Sequence, residues 1–560
     1  MSLITFIFLT VSLSAIGFLL GGTVSKWWLG LSFVASAALL YWLLQKKNVP
    51  GTAFWIGSYL LIIALSSVVG SITIDSSFDG NSYHKTAIGA LKNGWNPIRE
   101  DINSFNQSAR NPHKIVDQLG VDRTMDSRWV NAYPKATWIF AASIYKVTNN
   151  IESGKAINFL TMVIVFLLAL SYFYEKVGRA KSFLIAGILA ANPVAVSQMF
   201  GYFNDGVMGG YIVVLLLLLT ALLDKKATIA KHPLLLYLML AMTICIVGNV
   251  KFTGLAYAGI VMVCYWLYVA IKKDWQKLLR LTIMGVSAVL FAVLVIGASS
   301  YVKNYYAYGS PLYPLGGKDA VDIMSHNQPM SFVHKSGPHK FVEANLSATG
   351  NVSYAESLAN GDIKPKTPFS VNISELQVLG SDPDLRQAGY GVWFGGILLL
   401  TGALGGWLLL IHGRRYRRHL PLILLPFATV AVTALAFDNS WWARYLPQLY
   451  ILPVIVLICL VLLRVKIFTN LVTFLLLFNI TLTTLLVMSY QSTYATAINN
   501  NLKANLQCSG DKKIRVVALG YLSGAMYNLW DKCGLVEPVT QQDFDASKTT
   551  RLINDIYLAK

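Results

Sequence analysis

The densest run of chemically capable side chains is Asp75-Ser76-Ser77-Phe78-Asp79-Gly80-Asn81-Ser82-Tyr83-His84-Lys85. It follows directly on an apolar run ending near Ile74, so it sits where a membrane span meets water. A carboxylate at such an edge can accept a proton from a substrate hydroxyl. Asp79 is the first candidate for that base, and Asp75, closer to the apolar run, is its rival. His84 falls near the same face as Asp79 if the segment is helical, which makes it a second acid–base candidate. Asn81 and Tyr83 add polar atoms to the same pocket. A helix cap would equally place an aspartate at position 79.

Three other places combine charge with a membrane edge. Asn204-Asp205 lies in the short connection Gly201-Tyr202-Phe203-Asn204-Asp205-Gly206, where Asp205 either faces the same pocket or caps the next span. Lys251 stands between two apolar runs with almost no loop. A cation there is costly unless it reaches water or an anion, by snorkelling or by holding a phosphate. Arg444, followed by Tyr445, is the lone cation of the short aromatic segment 438–445. Arginine can grip a phosphate through two parallel hydrogen bonds. Carboxylates for a hydroxyl and cations for a phosphate describe transfer of a group from a phosphate carrier.

The elements that must position these residues are apolar. The 560-residue chain is 55% apolar and 13% charged, against about 25% charged in soluble domains. Apolar runs recur at about 3–23, 27–45, 52–74, 155–174, 182–200, 206–223, 233–250, 252–271, 280–300, 389–411, 420–437, 446–463 and 467–489. Most come near the ~20 residues that cross a bilayer. The expected fold is an α-helical polytopic membrane protein of about 13 transmembrane helices. It divides into an N-terminal hairpin (1–45), a transmembrane domain (46–490) and a small C-terminal α/β appendage (491–560) containing a strand near Ile514–Gly520.

The net charge of +19 reads as topology. With a cytoplasmic N-terminus, every strongly basic short loop falls inside: Lys46-Lys47, 175–181, 224–231, 272–280, 414–418 and Arg464 with Lys466. That obeys the bias of short cytoplasmic loops toward lysine and arginine. No basic stripe interleaved with aromatics points to nucleic acid. The segments 75–154, 201–205, 301–388, 438–445 and 490–560 then share the extracytoplasmic face. Within 75–154, a helix is expected from Asp79 to Asn93, and the aromatic stretch Ala132–Val147 suits a helix lying in the membrane interface. No phosphate-binding glycine loop or dinucleotide fingerprint is present. A donor on that face must arrive on lipid, because soluble nucleotide sugars do not reach it.

In arrangement, the chain resembles the GT-C superfamily of membrane glycosyltransferases over about residues 50–490. Members carry a catalytic carboxylate in the first large outside loop, a second acidic residue in a later one, and a basic residue near the C-terminal spans. Asp79, Asp205 and Arg444 occupy those places, and the stretch Tyr308-Gly309-Ser310-Pro311-Leu312-Tyr313-Pro314 is similar to one in many bacterial members. The resemblance implies a polyprenyl-phosphate-linked sugar donor, a cell-envelope acceptor (glycan, lipid or protein) and a bacterial inner membrane. Asp79, Asp205 and His84 would then be catalytic. Arg444, Lys251 and Tyr445 would hold the donor phosphate, and Asp75, Asn81, Tyr83 and Asn204 would line the pocket. Two departures stand out: the extra hairpin 1–45, and Gly80 where many members have an acidic residue after the catalytic one. The second leaves a divalent cation open as a cofactor, and no metal site is assigned. Two other readings fit the hydropathy. A polymerase or ligase using lipid-linked oligosaccharide would want more outside arginines than Arg386 alone in 301–388. A transporter or flippase would want charges within the spans.

The cysteines divide the same way. Cys245, Cys264 and Cys459 lie in apolar runs, and Cys508 and Cys533 lie in the tail, where an oxidising compartment would allow a disulfide.

Overall fold

The computed structural model describes residues 1–113, 124–224, 227–412, 420–506, 514–518, 523–534, 536–538, 550–553 and 556–558. Among them, ten helices are long and apolar enough to cross a membrane. Helices Arg179–Ala190, Leu420–Ala436 and Ile451–Leu463 are shorter but fill three further apolar stretches. The chain is an integral, multi-pass membrane protein. Helices suit this setting because each satisfies its own backbone hydrogen bonds where no water can.

Two expected spans are interrupted. The stretch 182–200 breaks at Asn192-Pro193, because Pro193 has no N–H to continue the ladder. The chain restarts as Pro193–Gln198, with the Asn192 side chain accepting from Val194 N at 3.0 Å. The stretch 280–300 widens into π-helical turns at Ala292–Ile296 and Ala298–Val302. Asn249 fastens the first of these by donating to Ala292 O at 2.9 Å.

Helix Asp205–Leu223 is the central post, with 89% of its apolar window buried. Its N-terminal turn carries Asp205. The preceding turn is held by Asn158, whose amide donates to the carbonyls of Gln198, Met199 and Gly201 at 3.1, 3.2 and 2.9 Å. The N-terminal helix Ser2–Leu19 is also largely interior. Helix Lys26–Lys46 is peripheral and joined to Thr52–Ile72 through the Ser36–Tyr59 hydroxyl contact of 2.6 Å.

Two expectations change. Helix Ala136–Thr148 does not lie in the interface: every residue from Ala136 to Tyr145 is buried. Its aromatics pack into the protein on all sides, as Phe140 does against Phe6. The last span does not end near residue 490. It runs unbroken as Lys466–Asn505, since no glycine or proline occurs within it, and the appendage begins after that helix. The basic segment 414–418 and residues Lys225-Lys226 lie outside the described residues.

Among its described residues, the appendage has a four-stranded sheet and the helix Met526–Cys533. Its strands are β1 (Ile514–Ala518), β2 (Val536–Pro538), β3 (Thr550–Ile553) and β4 (Ile556–Leu558), in the order β2-β1-β4-β3. β1 and β2 are parallel, and the other pairs are antiparallel. Cys533 is disulfide-bonded, and Cys508 lies outside the described residues. Asn501 of the long helix ties on β3 by donating to Arg551 O and Leu552 O at 2.7 and 3.0 Å.

Asp531 of the appendage helix accepts from Ile151 N at 2.8 Å and from the Tyr145 hydroxyl. Burial pushes its carboxyl from 3.8 up to about 6, against the opposing pull of Tyr145, Ile151 N and Lys92. The docked state therefore holds this proton more tightly than a free appendage does. Docking should be strongest below pH ~4 and weaken as pH rises through about 6, by at most about 3 kcal/mol. Limited proteolysis of the appendage from pH 4 to 7 should show this trend, and Asp531→Asn should flatten it. Equal pH dependence in the variant would remove Asp531 from the account.

Candidate active site

The turn after helix Thr52–Ile72 folds on its own side chains. Asp75 accepts from Ser77 N at 2.8 Å, Ser77 Oγ accepts from Gly80 N at 3.1 Å, and Asn81 donates to Asp75 O and Ser77 O at 2.9 and 2.7 Å. The chain then passes through a π-helical turn, Gly80–His84, into helix Lys85–Lys92. Gly80 has a steric reason: a Cβ there would lie 1.8 Å from Asp75 Oδ2. An acidic residue after Asp79 would have to displace the Asp75 and Ser77 side chains that hold the turn.

Asp79 projects from the turn with its carboxylate about one-fifth exposed. It accepts from Tyr83 OH at 3.2 Å and from Arg444 Nη1 at 2.8 Å. Arg444 Nη1 is also 3.8 Å from Asp205 Oδ2. Asp205 in turn accepts from Lys251 Nζ at 2.7 Å and from Gln198 Nε2 at 3.4 Å. Lys251 sits over the Tyr445 ring, 4.2 Å from its centroid. The guanidinium of Arg444 lies among Phe203, Trp442 and Tyr445, 4.7–5.2 Å from their centroids. Burial opposes its charge, but Asp384 and Asp79 outweigh that and hold it ionised. Thus Asp79, Asp205, Lys251, Arg444 and Tyr445, from distant parts of the chain, meet in one cluster.

The cluster also contains residues the sequence did not single out. Asp384 Oδ1 is 2.8 Å from Arg444 Nε, but that contact is misaligned and neither atom has a hydrogen-bond partner. Its other oxygen accepts from Arg386 Nη2 and Nε at 3.0 and 3.2 Å. Backbone bonds from Ala443 N to Arg386 O (2.9 Å) and from Arg444 N to Leu385 O (3.2 Å) join the two segments. Asp384 stands just before the span that starts near residue 389. The edge-of-membrane criterion that marks Asp79 and Arg444 would have found it.

The remaining candidates are placed elsewhere. Asp75 is buried, and besides Ser77 it accepts from Tyr202 N at 3.0 Å, linking the turn to segment 201–205. Asn81 is consumed by the turn and by Lys85, which donates to its Oδ1 at 3.0 Å. Asn204 precedes the central helix without capping it through its side chain. Tyr83 forms a wall of the cluster, and burial next to Asp79 raises its hydroxyl well above the ordinary value. His84 is fully enclosed. Its Nδ1 accepts from Trp138 Nε1 at 2.5 Å, and its ring lies against Tyr83.

Beneath the turn lies a buried carboxylate, Glu152. Its Oε1 receives Lys85 Nζ and Asn528 Nδ2, each at 2.7 Å, and its Oε2 receives Lys155 Nζ at 2.7 Å and Asp75 N at 3.1 Å. Both ends of the segment bearing Asp79 are thereby fixed to one side chain. Among the described residues, no group of three or more His, Cys, Asp or Glu side chains could hold a metal ion.

No known family profile matches the sequence, and no curated protein matches it. Among solved structures, the chain is similar to ArnT from Cupriavidus metallidurans in the apo state, with a TM-score of 0.43 and 11% identity over 84% of each chain. It is also similar to that protein bound to undecaprenyl phosphate, with a TM-score of 0.43 and 12% identity over 88% of this chain and 87% of the other. Superpositions this loose do not transfer a role to any residue.

Burial drives the His84 imidazole from 6.5 down to about 3. An unfolded chain gains this proton below pH 6.5, and the folded protein does not until about 3. Stability should therefore fall with pH across that window, by roughly 1.4 kcal/mol per unit from this group. His84→Asn keeps an acceptor for Trp138 and should lessen the decline in thermal unfolding between pH 6.5 and 4. An unchanged slope would show that His84 titrates normally.

Proposed function

We propose that the chain is a GT-C-type membrane glycosyltransferase. It moves a sugar from a polyprenyl-phosphate donor to a hydroxyl of a cell-envelope acceptor. The membrane is the bacterial inner membrane, with the N-terminus cytoplasmic and the cluster and C-terminal tail extracytoplasmic. The positive-inside distribution of the short loops supports that orientation. The observation that carries the reading is the Arg444–Asp79 bond: residues 365 apart in sequence join an acid and a fixed cation in one partly open site.

The chemistry follows from exposure and charge. Asp79 retains access to solvent and takes the proton of the acceptor hydroxyl. The acceptor oxygen attacks the anomeric carbon as the bond from that carbon to the phosphate oxygen breaks, so configuration inverts. The lipid phosphate leaves with the bonding electron pair. Arg444 has donors beyond its bond to Asp79, and it meets the charge developing on the phosphate. Asp205 is nearly sealed; it holds Lys251 and Arg444 in place and does not touch substrate. Tyr445 orients Lys251 from below. The aromatic surround excludes water, which would otherwise hydrolyse the donor.

The test is purified protein with a panel of polyprenyl-phosphate sugars and envelope acceptors. Asp79→Asn should lower turnover by about 10²–10⁴-fold with little change in donor KM. Arg444→Lys loses the fork geometry and should raise donor KM about tenfold or more. Full transfer by Asp79→Asn would remove the base from the scheme. Unaltered donor KM in Arg444→Lys would remove the phosphate site.

A further inference from the structure

The appendage makes contacts that a mere tether would not need. Two glycines let it touch the Asp79 turn and the helix that follows. A Cβ on Gly524 would lie 2.5 Å from Asn81 O and 3.0 Å from Lys85 Cβ, and one on Gly89 would lie 2.0 Å from Cζ of Tyr527. Tyr527 is completely buried, as Met526, Leu529 and Trp530 nearly are. Between these contacts, Asn528 accepts from Lys85 Nζ at 2.9 Å and donates to Glu152 Oε1 at 2.7 Å. Both lysines of the network and Glu152 are almost fully enclosed. A buried ionic group left short of a partner is costly, so Asn528 completes the shell and does more than decorate it.

What this shell supports is a π-helical turn between Asp79 and Lys85. Such turns are rare and appear mostly as single turns within helices, frequently at functional sites. Relaxing Gly80–His84 to α-helix would shift Asp79 by one residue relative to helix Lys85–Lys92. That is about 100° of rotation, enough to turn its carboxylate off Arg444.

We infer that the C-terminal appendage is a structural part of the active site: through Asn528 and the Gly524 contact it holds the π-helical turn that aims Asp79 at Arg444. Asn528 is a positioning residue and touches no reacting atom. The kinetic consequence rests on the transferase reading above. The mechanical one does not.

The experiment compares full-length protein with Asn528→Ala, the milder Asn528→Ser, and Lys532→Ala. Lys532 joins the appendage to the long helix through an exposed bond to Asn499. Amide exchange over residues 79–92 should speed about tenfold or more in Asn528→Ala, with the membrane helices unchanged. Turnover should fall about tenfold or more while donor KM stays within about twofold. Lys532→Ala should match the native protein in both readouts. If Asn528→Ala does not fold, Asn528→Ser decides in the same direction with smaller effects. Native exchange over 79–92 in the Asn528 variants would overturn the inference, and so would acceleration spread evenly over every helix. If no polyprenyl-phosphate sugar is turned over, the transferase reading fails, and the exchange result still decides the clamp.

Discussion

Glu152 is the constraint on which the turn bearing Asp79 rests. Its two oxygens take four donors, from Asp75 N, Lys85, Lys155 and Asn528. Those donors come from the start of the site turn, its end, the foot of a spanning helix and the appendage. A carboxylate enclosed this fully is tolerable only when its partners are all present. Removing any one leaves charge or polarity stranded where water cannot compensate. The geometry of Asp79 is therefore inherited from this network. The lysines gain in return: Lys155 also donates to Thr73 O at 2.7 Å, which fixes the end of the helix leading into the turn.

Above this base the electrostatics alternate. Lys251, Asp205, Arg444 and Asp79 form one line of charges, and Asp384 with Arg386 forms a branch. The signs balance, so the cluster can sit at a membrane edge without an ion of its own. Exposure separates the carboxylates. Asp205 is sealed, whereas Asp79 and Asp384 are each about one-fifth open. Only the open ones can meet a substrate, and only Asp79 also has a tyrosine hydroxyl to orient it. Packing Arg444 against three aromatic rings keeps its guanidinium flat and fixed in a poorly solvated place. A fixed donor in such surroundings acts on phosphate more strongly than one in water.

Much of this was legible in the sequence because a bilayer imposes simple rules. Apolar length announces spans, and a charge stranded beside one announces a reason. That logic reached Asp79, Asp205, Lys251 and Arg444. It missed Glu152, since a glutamate at the head of a span reads as an ordinary boundary residue and its partners come from four places in the chain. It set Asp75, Asn81 and His84 beside Asp79 as lesser candidates for the same pocket, because spacing cannot say which polar atoms a turn will use up on itself. The aromatic run Ala136–Tyr145 misled for a related reason: interface belts and buried aromatic cores have the same composition. The appendage was visible as a strand, but its docking depends on Gly89 and Gly524, whose purpose exists only once the surfaces meet.

The most direct measurement is the anomeric configuration of the product set against that of the donor, read by proton NMR for whichever polyprenyl-phosphate sugar the purified protein turns over. Asp79 acting as base on a single attacking oxygen predicts inversion. Retained configuration would mean a double displacement or an attack from the face the phosphate leaves, and either would contradict the single in-line displacement described above.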